Sequence, residues 1–299
     1  MRFEPPQSSV NQRKMNKQKN NFGGLPQQYC RLDDAAIVIV PVAYDLTSTW
    51  LKGADKGPDA ILEASANMEL YDIETDTEVF LKGIFTAPTI KGRWRPEKMV
   101  EIVAENVAGY LARDKFNVVI GGEHSVSVGS VKAHAEKIGD FCVLQLDAHT
   151  DLRDEYEGSK YNHACVMARI KELCPVVQVG IRSMDRGEKK LLDKNRVFFA
   201  EDIYNKTNWI EKVVNKLSEM VYITIDLDVF DPSIMPSTGT PEPGGLLWYD
   251  VLKLIKRVSS RRTIVGFDVV EMCPNVQNKA PDFMAAKLIY KLLSYIFTD

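Results

Sequence analysis

Three observations predict an α/β fold in three layers, α/β/α, around a mainly parallel sheet. Short apolar runs alternate along the chain with stretches of helical periodicity, the pattern of right-handed βαβ units. The runs are apolar on both faces, as in strands covered on both sides. Several end in glycine or carboxylate, at the end where open α/β sheets place their ligands.

Ala35-Ala36-Ile37-Val38-Ile39-Val40 is the first such run, and Pro41 closes it. Gly57-Pro58 opens a helical stretch to about Met68, with proline in the first turn, where its missing N–H costs nothing. Pro96 to about Arg113 repeats the helical pattern, because Met99, Ile102, Val103, Val107 and Leu111 fall largely on one face. Asn117-Val118-Val119-Ile120 reads as a strand closed by Gly121-Gly122. Ser125 to Lys137 reads as a helix, 141–146 as a strand, His163 to Leu173 as a helix and Val176 to Val179 as a strand. A helix near 186–194 precedes the short strand Val197-Phe198-Phe199. Another near 208–219 precedes the strand 221–225. Trp248 to Val258 reads as a helix, 263–270 as a strand and 282–297 as the closing helix. No repeat and no linker interrupts the series, so 27–299 is expected to be a single domain. Residues 1–26 are polar and rich in Gln, Asn, Lys and Pro. They are expected to form a flexible arm, and they lack the apolar segment of a secretory signal.

The bulk properties exclude several classes. Of 299 residues, 45% are hydrophobic and 26% charged, enough to build a sizeable core. The net charge of −3, without a basic stripe, argues against a nucleic-acid partner. No apolar stretch approaches the ~20 residues needed to span a bilayer, so no membrane partner is expected. The five cysteines are odd in number and widely spaced, with no CxxC pair, which points to a reducing, cytoplasmic setting.

Chemistry concentrates at three strand ends. Phe141-Cys142-Val143-Leu144-Gln145-Leu146 runs into Asp147-Ala148-His149-Thr150-Asp151, and Val221-Tyr222-Ile223-Thr224-Ile225 into Asp226-Leu227-Asp228. Gly121-Gly122-Glu123-His124 follows the strand at 117–120. Buried carboxylates without partners cost several kcal/mol, so clusters of them at the ends of buried strands call for cations. In an extended chain, alternate residues share a face, which brings Asp147, His149 and Asp151 together, and likewise Asp226 and Asp228. The set His124, Asp147, His149, Asp151, Asp226 and Asp228 mixes four carboxylates with two imidazoles. That mixture suits Mn²⁺ best, with Fe, Co, Ni or Zn also open. Six ligands exceed what one ion needs if substrate is to bind too. They suit two ions about 3.5 Å apart, sharing carboxylates and a bridging water or hydroxide. The remaining histidine, His134, lies mid-helix with no acidic motif beside it and is expected to be structural or at the surface.

Gly121-Gly122-Glu123-His124-Ser125, Asp147-Ala148-His149-Thr150-Asp151, Asp226-Leu227-Asp228-Val229-Phe230-Asp231-Pro232 and Gly239-Thr240-Pro241 together resemble the signatures of the ureohydrolase (arginase/agmatinase) superfamily. The likeness runs from about residue 35 to the C-terminus and is closest to agmatinase-type members. It implies an arginase-like fold and hydrolysis of a guanidino group to urea and an amine at a dinuclear manganese centre. One Mn²⁺ would be held by His124, Asp147, Asp151 and Asp226, the other by Asp147, His149, Asp226 and Asp228, with Asp147 and Asp226 bridging. Glu271 would bind the guanidinium and His163 would shuttle protons. A homo-oligomer, trimer or hexamer, is implied too. The chemistry is consistent with this. A delocalised guanidinium is a poor electrophile and needs a strong nucleophile, a carboxylate can orient it through paired hydrogen bonds, and a histidine can protonate the leaving amine.

Substrate identity should lie in the loop 152–162. Asp154, Glu155 and Glu157 make that loop acidic, favouring a small cationic guanidino compound with a second positive end. Agmatine, hydrolysed to putrescine and urea in polyamine biosynthesis, is the expectation, with an aminopropyl derivative of it as an alternative. Arg153 stands where arginases carry an asparagine; it could bind a carboxylate, which keeps arginine and guanidino acids open. Thr240 is expected to line the pocket. Arg182 is as consistent with a structural or subunit contact as with substrate. Two readings come from other classes. A histone-deacetylase-like amidase would need a His-His pair that is absent. A catalytically inactive metal-binding regulatory subunit would need a broken ligand set, and all six positions are filled.

Overall fold

The first apolar run folds as β1 (Ile37–Ala43), two residues later than expected at its start and three beyond Val40 at its end. It passes through Pro41 because the partner changes there. Ile37 to Ile39 pair with β2 (Ile84–Thr86), and Val42 and Ala43 pair with β3 (Ile90–Lys91). Pro41 falls in the gap between these ladders, where its missing N–H removes no bond on that side. The computed structural model describes residues 21–204 and 206–298.

The other elements follow in the expected alternation. They are α1 (Gly57–Ser65), α2 (Pro96–Leu111), β4 (Phe116–Ile120), α3 (Val126–Ile138), β5 (Cys142–Leu146), α4 (Val166–Ile170), β6 (Val176–Ile181) and β7 (Val197–Phe199). Then come α5 (Ala200–Ile203), α6 (Trp209–Val214), β8 (Met220–Asp226), α7 (Trp248–Ser259), β9 (Thr263–Val270) and α8 (Ala280–Ile296). Three expected helices are shorter than their periodicity implied. The one at 163–173 begins as a 3-10 turn (His163–Cys165) before α4, the one near 186–194 is only a 3-10 turn (Arg186–Lys190), and the one near 208–219 is α6 alone.

The sheet is parallel throughout its described pairings, in the order β2-β1-β4-β9-β8-β5-β6-β7, with β3 beside the far end of β1. Alternate residues of each strand feed two separate cores. Ile37, Ile39, Leu144, Leu146, Ile223 and Ile225 face one, packed with residues of α1, α6, α7 and α8. Val38, Val40, Val143 and Tyr222 face the other, packed with residues of α2, α3 and α4. These are the three layers the sequence predicts, and the fold is α/β/α. Helix α7 shows the local cause. Val251, Leu252, Leu254, Ile255 and Val258 are buried while Lys253 and Lys256 are exposed. Each such apolar side chain contributes about 1.5–3 kcal/mol over remaining in water.

Most of the arm expected over 1–26 lies outside the described residues. Its last part does not behave as an arm: Phe22 and Leu25 are buried in the core. The amide of Phe22 donates to Thr86 Oγ1 (2.9 Å) and that of Gly23 to Ser65 Oγ (2.9 Å). Two apolar residues spaced three apart, set among polar neighbours, dock this segment together with those hydrogen bonds. Among the described residues, no helix is long and apolar enough to cross a membrane.

The strand order explains the site. β8 and β9 enter the sheet between β4 and β5, so the four central strands are β4, β9, β8 and β5. Their carboxyl ends carry Gly121 to His124, Glu271, Asp226 and Asp147. His124 and Glu271, 147 positions apart in sequence, thus meet at one edge.

Candidate metal centre

Each site segment is held in place by backbone constraints. At the end of β4, a Cβ on Gly122 would stand 1.9 Å from the Tyr44 carbonyl oxygen, so only glycine lets the turn pass there. The amide of Glu123 donates to that same carbonyl (2.9 Å). At the end of β9, Glu271 adopts a left-handed backbone (φ 64°), and at the end of the 147–151 segment Asp151 does the same (φ 52°). Such conformations cost non-glycine residues about 1–3 kcal/mol, and they persist where surrounding structure imposes them. Here the Glu271 amide is tied to Gly122 O (2.8 Å), and the Asp151 carbonyl accepts from the amides of Met167 (3.0 Å) and Ala168 (3.2 Å).

The acidic and imidazole groups form two clusters. His124, Asp147 and Asp226 make one, and Asp147, His149 and Asp228 the other; each is compact enough to hold a metal ion. Asp151 joins the first: His124 Nδ1 lies 3.0 Å from Asp151, 3.2 Å from Asp147 and 3.4 Å from Asp226. His149 Nδ1 lies 2.9 Å from Asp228 and 3.7 Å from Asp147. Asp147 is the residue common to both clusters. Asp226, the other bridge expected, belongs here to the first alone, and its Oδ1 accepts the Asp228 amide (2.9 Å).

The donor set fits divalent cations. His124 Nδ1 is buried without a hydrogen-bond partner and faces three carboxylates. Its other nitrogen is 2.9 Å from Thr224 Oγ1, and that hydroxyl donates to Asp268 Oδ1 (2.6 Å). The hydroxyl therefore accepts from Nε2–H, which leaves Nδ1 as the atom turned to the carboxylates; although burial opposes it, they hold the imidazole well above its ordinary value, and a cation there would take the place of the Nδ1 proton. The charges agree. Burial and the neighbouring carboxylates Asp228 and Asp147 hold Asp226 well above the usual carboxylate range. Burial and Asp147 push Asp151 up to about 7. Although burial opposes it, Asp228 and Asp147 raise His149 to about 12. Four carboxylates in one low-dielectric pocket thus draw in any positive charge on offer, and two divalent cations would balance them.

A cavity of about 180 Å³ opens over this centre. Its wall includes the proposed ligands His124, His149, Asp151 and Asp226, together with His163, Glu271, Thr240 and Arg153. Glu271 Oε1 accepts the His124 amide (2.6 Å), while Oε2 lies beside Gly239, where a Cβ would stand 3.6 Å from it. Burial, then Glu123, pushes the Glu271 carboxyl well above its ordinary value, so a cation beside it would be strongly favoured. His163 is fixed by Thr47, whose Oγ1 accepts the His163 amide (2.9 Å) and donates to Glu123 Oε1 (2.6 Å). Toward His163 Nδ1 (3.3 Å) the same oxygen can only accept, which leaves Nε2 unprotonated. Burial lowers the imidazole to about 4, so it is neutral at pH 7.

The acidic loop is arranged differently from expectation. Asp154 pairs with Arg169 (2.5 Å) and Lys160 (3.7 Å), and neither it nor the exposed Glu155 and Glu157 lines the cavity. Arg153 does line it, but stacks on Tyr156 (4.5 Å to the ring centre) and lies 3.7 Å from Asp185. Its charge is thereby engaged by its neighbours.

Several supporting residues escaped sequence reading. Gln145 donates to Asp147 Oδ2 (2.7 Å) and accepts from Gln178 (2.6 Å). Glu188 accepts from Thr150 Oγ1 (2.9 Å), from the Leu152 amide (2.7 Å) and from the Asp185 amide (2.6 Å). Glu123 gathers the 47–48 backbone and Ser125. The available signal was the presence of single polar residues, Gln145, Thr224 and Asp268, inside otherwise apolar strands.

Comparison with known proteins agrees with this geometry. A family model described as the arginase family matches residues 35–294. The N(1)-aminopropylagmatine ureohydrolase of Synechocystis sp. is 39% identical over 293 residues, covering 92% of this chain and 96% of that protein. The protein of the same name from Thermus thermophilus is 40% identical over 264 residues, covering 86% and 89%. The crystal structure of agmatine ureohydrolase from Thermoplasma volcanium superposes with a TM-score of 0.82 at 34% identity, covering 89% of this chain and 91% of that one.

Proposed function

The chain belongs to the arginase family, and from that premise we propose that it hydrolyses the guanidino group of an amine-ended substrate to urea and an amine. The observation that carries this reading is the shared cavity. One wall holds a carboxylate suited to a guanidinium, the floor holds a double cluster of metal-binding groups, and an unprotonated imidazole nitrogen stands beside them. The proposed ligands are His124, Asp147, His149, Asp151, Asp226 and Asp228, for two cations, with Mn²⁺ preferred by the mixture of carboxylate and imidazole. When bound, the cations would supply Lewis acidity, lowering the pKa of water toward neutrality and balancing the carboxylates.

The protein's own groups would do the rest. Glu271 Oε2 would orient the guanidinium, and Oε1 keeps the carboxylate in place through the His124 amide. His163, neutral at pH 7, would take up a proton and deliver it to the leaving amine. Water adds to the guanidino carbon, the C–N bond to the alkyl amine breaks, and urea and the amine leave. Thr240 contributes to the wall. Arg153 neutralises Asp185 rather than offering a free cation, which favours amine-ended over carboxylate-ended substrates.

Within that class the longer substrate is preferred. Relatives at 39–40% identity are named for N(1)-aminopropylagmatine, and agmatine itself becomes the second reading, supported by the agmatine ureohydrolase at 34%. The same proposal places the catalytic unit at 27–299, extended back to Asn21 by the docking of Phe22 and Leu25. It also includes a cytoplasmic setting and a trimer or hexamer. The test is urea release in the presence of Mn²⁺ from N(1)-aminopropylagmatine, agmatine, arginine and guanidino acids. Amine-ended substrates should exceed the others at least ~10-fold in kcat/KM, which is ~1.4 kcal/mol of transition-state preference. Arginine as the best substrate would overturn the specificity, and no urea from any of them would overturn the reaction.

A further inference from the structure

Arg182 follows β6 and sits beside the second cluster of metal-binding groups, yet no role in catalysis requires it. Its guanidinium is partly buried, and among the described residues no carboxylate forms an ion pair with it. Instead every nitrogen faces main-chain carbonyls. Nη2 donates to Asp228 O (2.6 Å), Glu242 O (2.8 Å) and Phe230 O (3.3 Å). Nη1 donates to Gly180 O (3.1 Å) and Val229 O (3.4 Å), and Nε to Pro243 O (3.1 Å) and Glu242 O (3.3 Å). The main chain at the same position acts on the other ligand segment. The amides of Arg182 and Ser183 both donate to Ala148 O (2.8 and 3.0 Å), the carbonyl between Asp147 and His149.

One residue therefore joins both segments that supply Asp147, His149 and Asp228. It also fixes the 242–243 backbone, which sets Glu242 Oε1 3.7 Å from His149 Nε2, the nitrogen turned away from Asp228. A carboxylate behind a ligating imidazole is the common means of orienting it and raising its basicity. The first cluster has other supports. His124 is oriented by Thr224, and Glu271 holds its amide.

We propose that Arg182, with Glu242, is a positioning unit for the second cation alone, the one held by Asp147, His149 and Asp228. The inference rests on the two-cation reading above. Only a planar fork of five N–H groups can serve three segments at once, so lysine should not substitute.

The test is equilibrium dialysis of the full chain against buffered free Mn²⁺, with bound metal counted and the spin coupling of paired Mn(II) followed by electron paramagnetic resonance. The variants are Arg182→Met, Arg182→Lys and Glu242→Gln. The wild type should bind two ions with a coupled signal. Arg182→Met should keep the first ion within about twofold and weaken the second at least ~10-fold, replacing the coupled signal by that of isolated Mn(II). Arg182→Lys should do the same, and it decides the matter if the methionine variant does not fold. Glu242→Gln should weaken the second ion in the same selective way, to a smaller degree. Wild-type affinity for both ions in the folded Arg182 variants would overturn the proposal. So would equal weakening of both ions together with a lowered melting temperature of the metal-free protein, since that is a purely structural role. A wild type that binds fewer than two ions would instead overturn the two-cation reading on which this one stands.

Discussion

His124, His134 and His163 are the same side chain in three surroundings, and in each a single neighbour fixes one ring nitrogen. His124 gives its Nε2–H to Thr224 Oγ1 (2.9 Å), and its Nδ1 faces carboxylates that, although burial opposes it, hold the imidazole well above its ordinary value. His134 stacks edge-on against Tyr222, gives Nδ1–H to Ser130 O (2.8 Å), and burial keeps it neutral, which makes it the structural histidine expected from its isolated position. His163 stands on Thr47, itself anchored by Glu123, with Nε2 left free. A proton shuttle in that position should be separable from metal binding. His163→Asn is expected to lower kcat by about 10²–10³ while both cations remain bound, as read by steady-state kinetics beside metal analysis. Loss of metal with the activity would remove the shuttle assignment. The six acidic and imidazole positions were legible in the sequence because buried carboxylates after apolar runs have few bland explanations. Thr224, Gln145 and Asp268 were not legible, because a single polar residue in a strand looks the same whether it supports a ligand or pairs with its neighbour. The loop acids Asp154, Glu155 and Glu157 misled for a related reason: composition shows charge but not direction, and Asp154 turns to Arg169.

At the level of elements, α2 packs on α3, the helix that follows the turn carrying His124. The contact is close because Gly129 of α3 lies on α2. A Cβ there would come within 2.5 Å of Val100 O and 2.8 Å of Val103 Cβ. Gly109 of α2 has nothing within 4 Å of the same position. Two glycine-to-alanine changes in helix interiors should therefore have opposite signs. Gly109→Ala should gain about 0.5–1 kcal/mol from helix propensity alone. Gly129→Ala should lose about 1–3 kcal/mol, because overpacking outweighs the same gain. Urea midpoints of the two variants against wild type measure this, and a stabilising Gly129→Ala would show that the helices can part at no cost. The longer helices and strands were legible from their periodicity, whereas short α5 (Ala200–Ile203) was not and the helix expected near 186–194 is a single 3-10 turn. The strands β2 and β3, three and two residues long, were not, since so few residues carry no period.

On the scale of the whole molecule, strand order does what no local pattern could announce. The chain visits β4 and β5 early and β8 and β9 late, yet β9 and β8 insert between the early pair. The proposed ligands then come from loops after β4, β5 and β8, with Glu271 after β9, so bound cations would tie together the carboxyl ends of the central strands. An unfolded chain scatters the same groups over more than a hundred residues and cannot match that affinity. Metal should therefore act as a stabilising ligand of the folded state, contributing about 2.7 kcal/mol per site at a free concentration one hundred times Kd. For a chain of this size one such site corresponds to a rise in Tm of roughly 4 °C. Calorimetry of chelator-treated protein titrated with Mn²⁺ would show Tm rising with the logarithm of free metal, with Mg²⁺ much less effective because it disfavours imidazole. The dependence should persist after His163→Asn, which leaves the donor set whole, and weaken after Asp147→Asn, which removes the carboxylate common to both clusters. A Tm indifferent to Mn²⁺ would mean that the four buried carboxylates are balanced by protons rather than by cations, and that the strand ends are held by the fold alone.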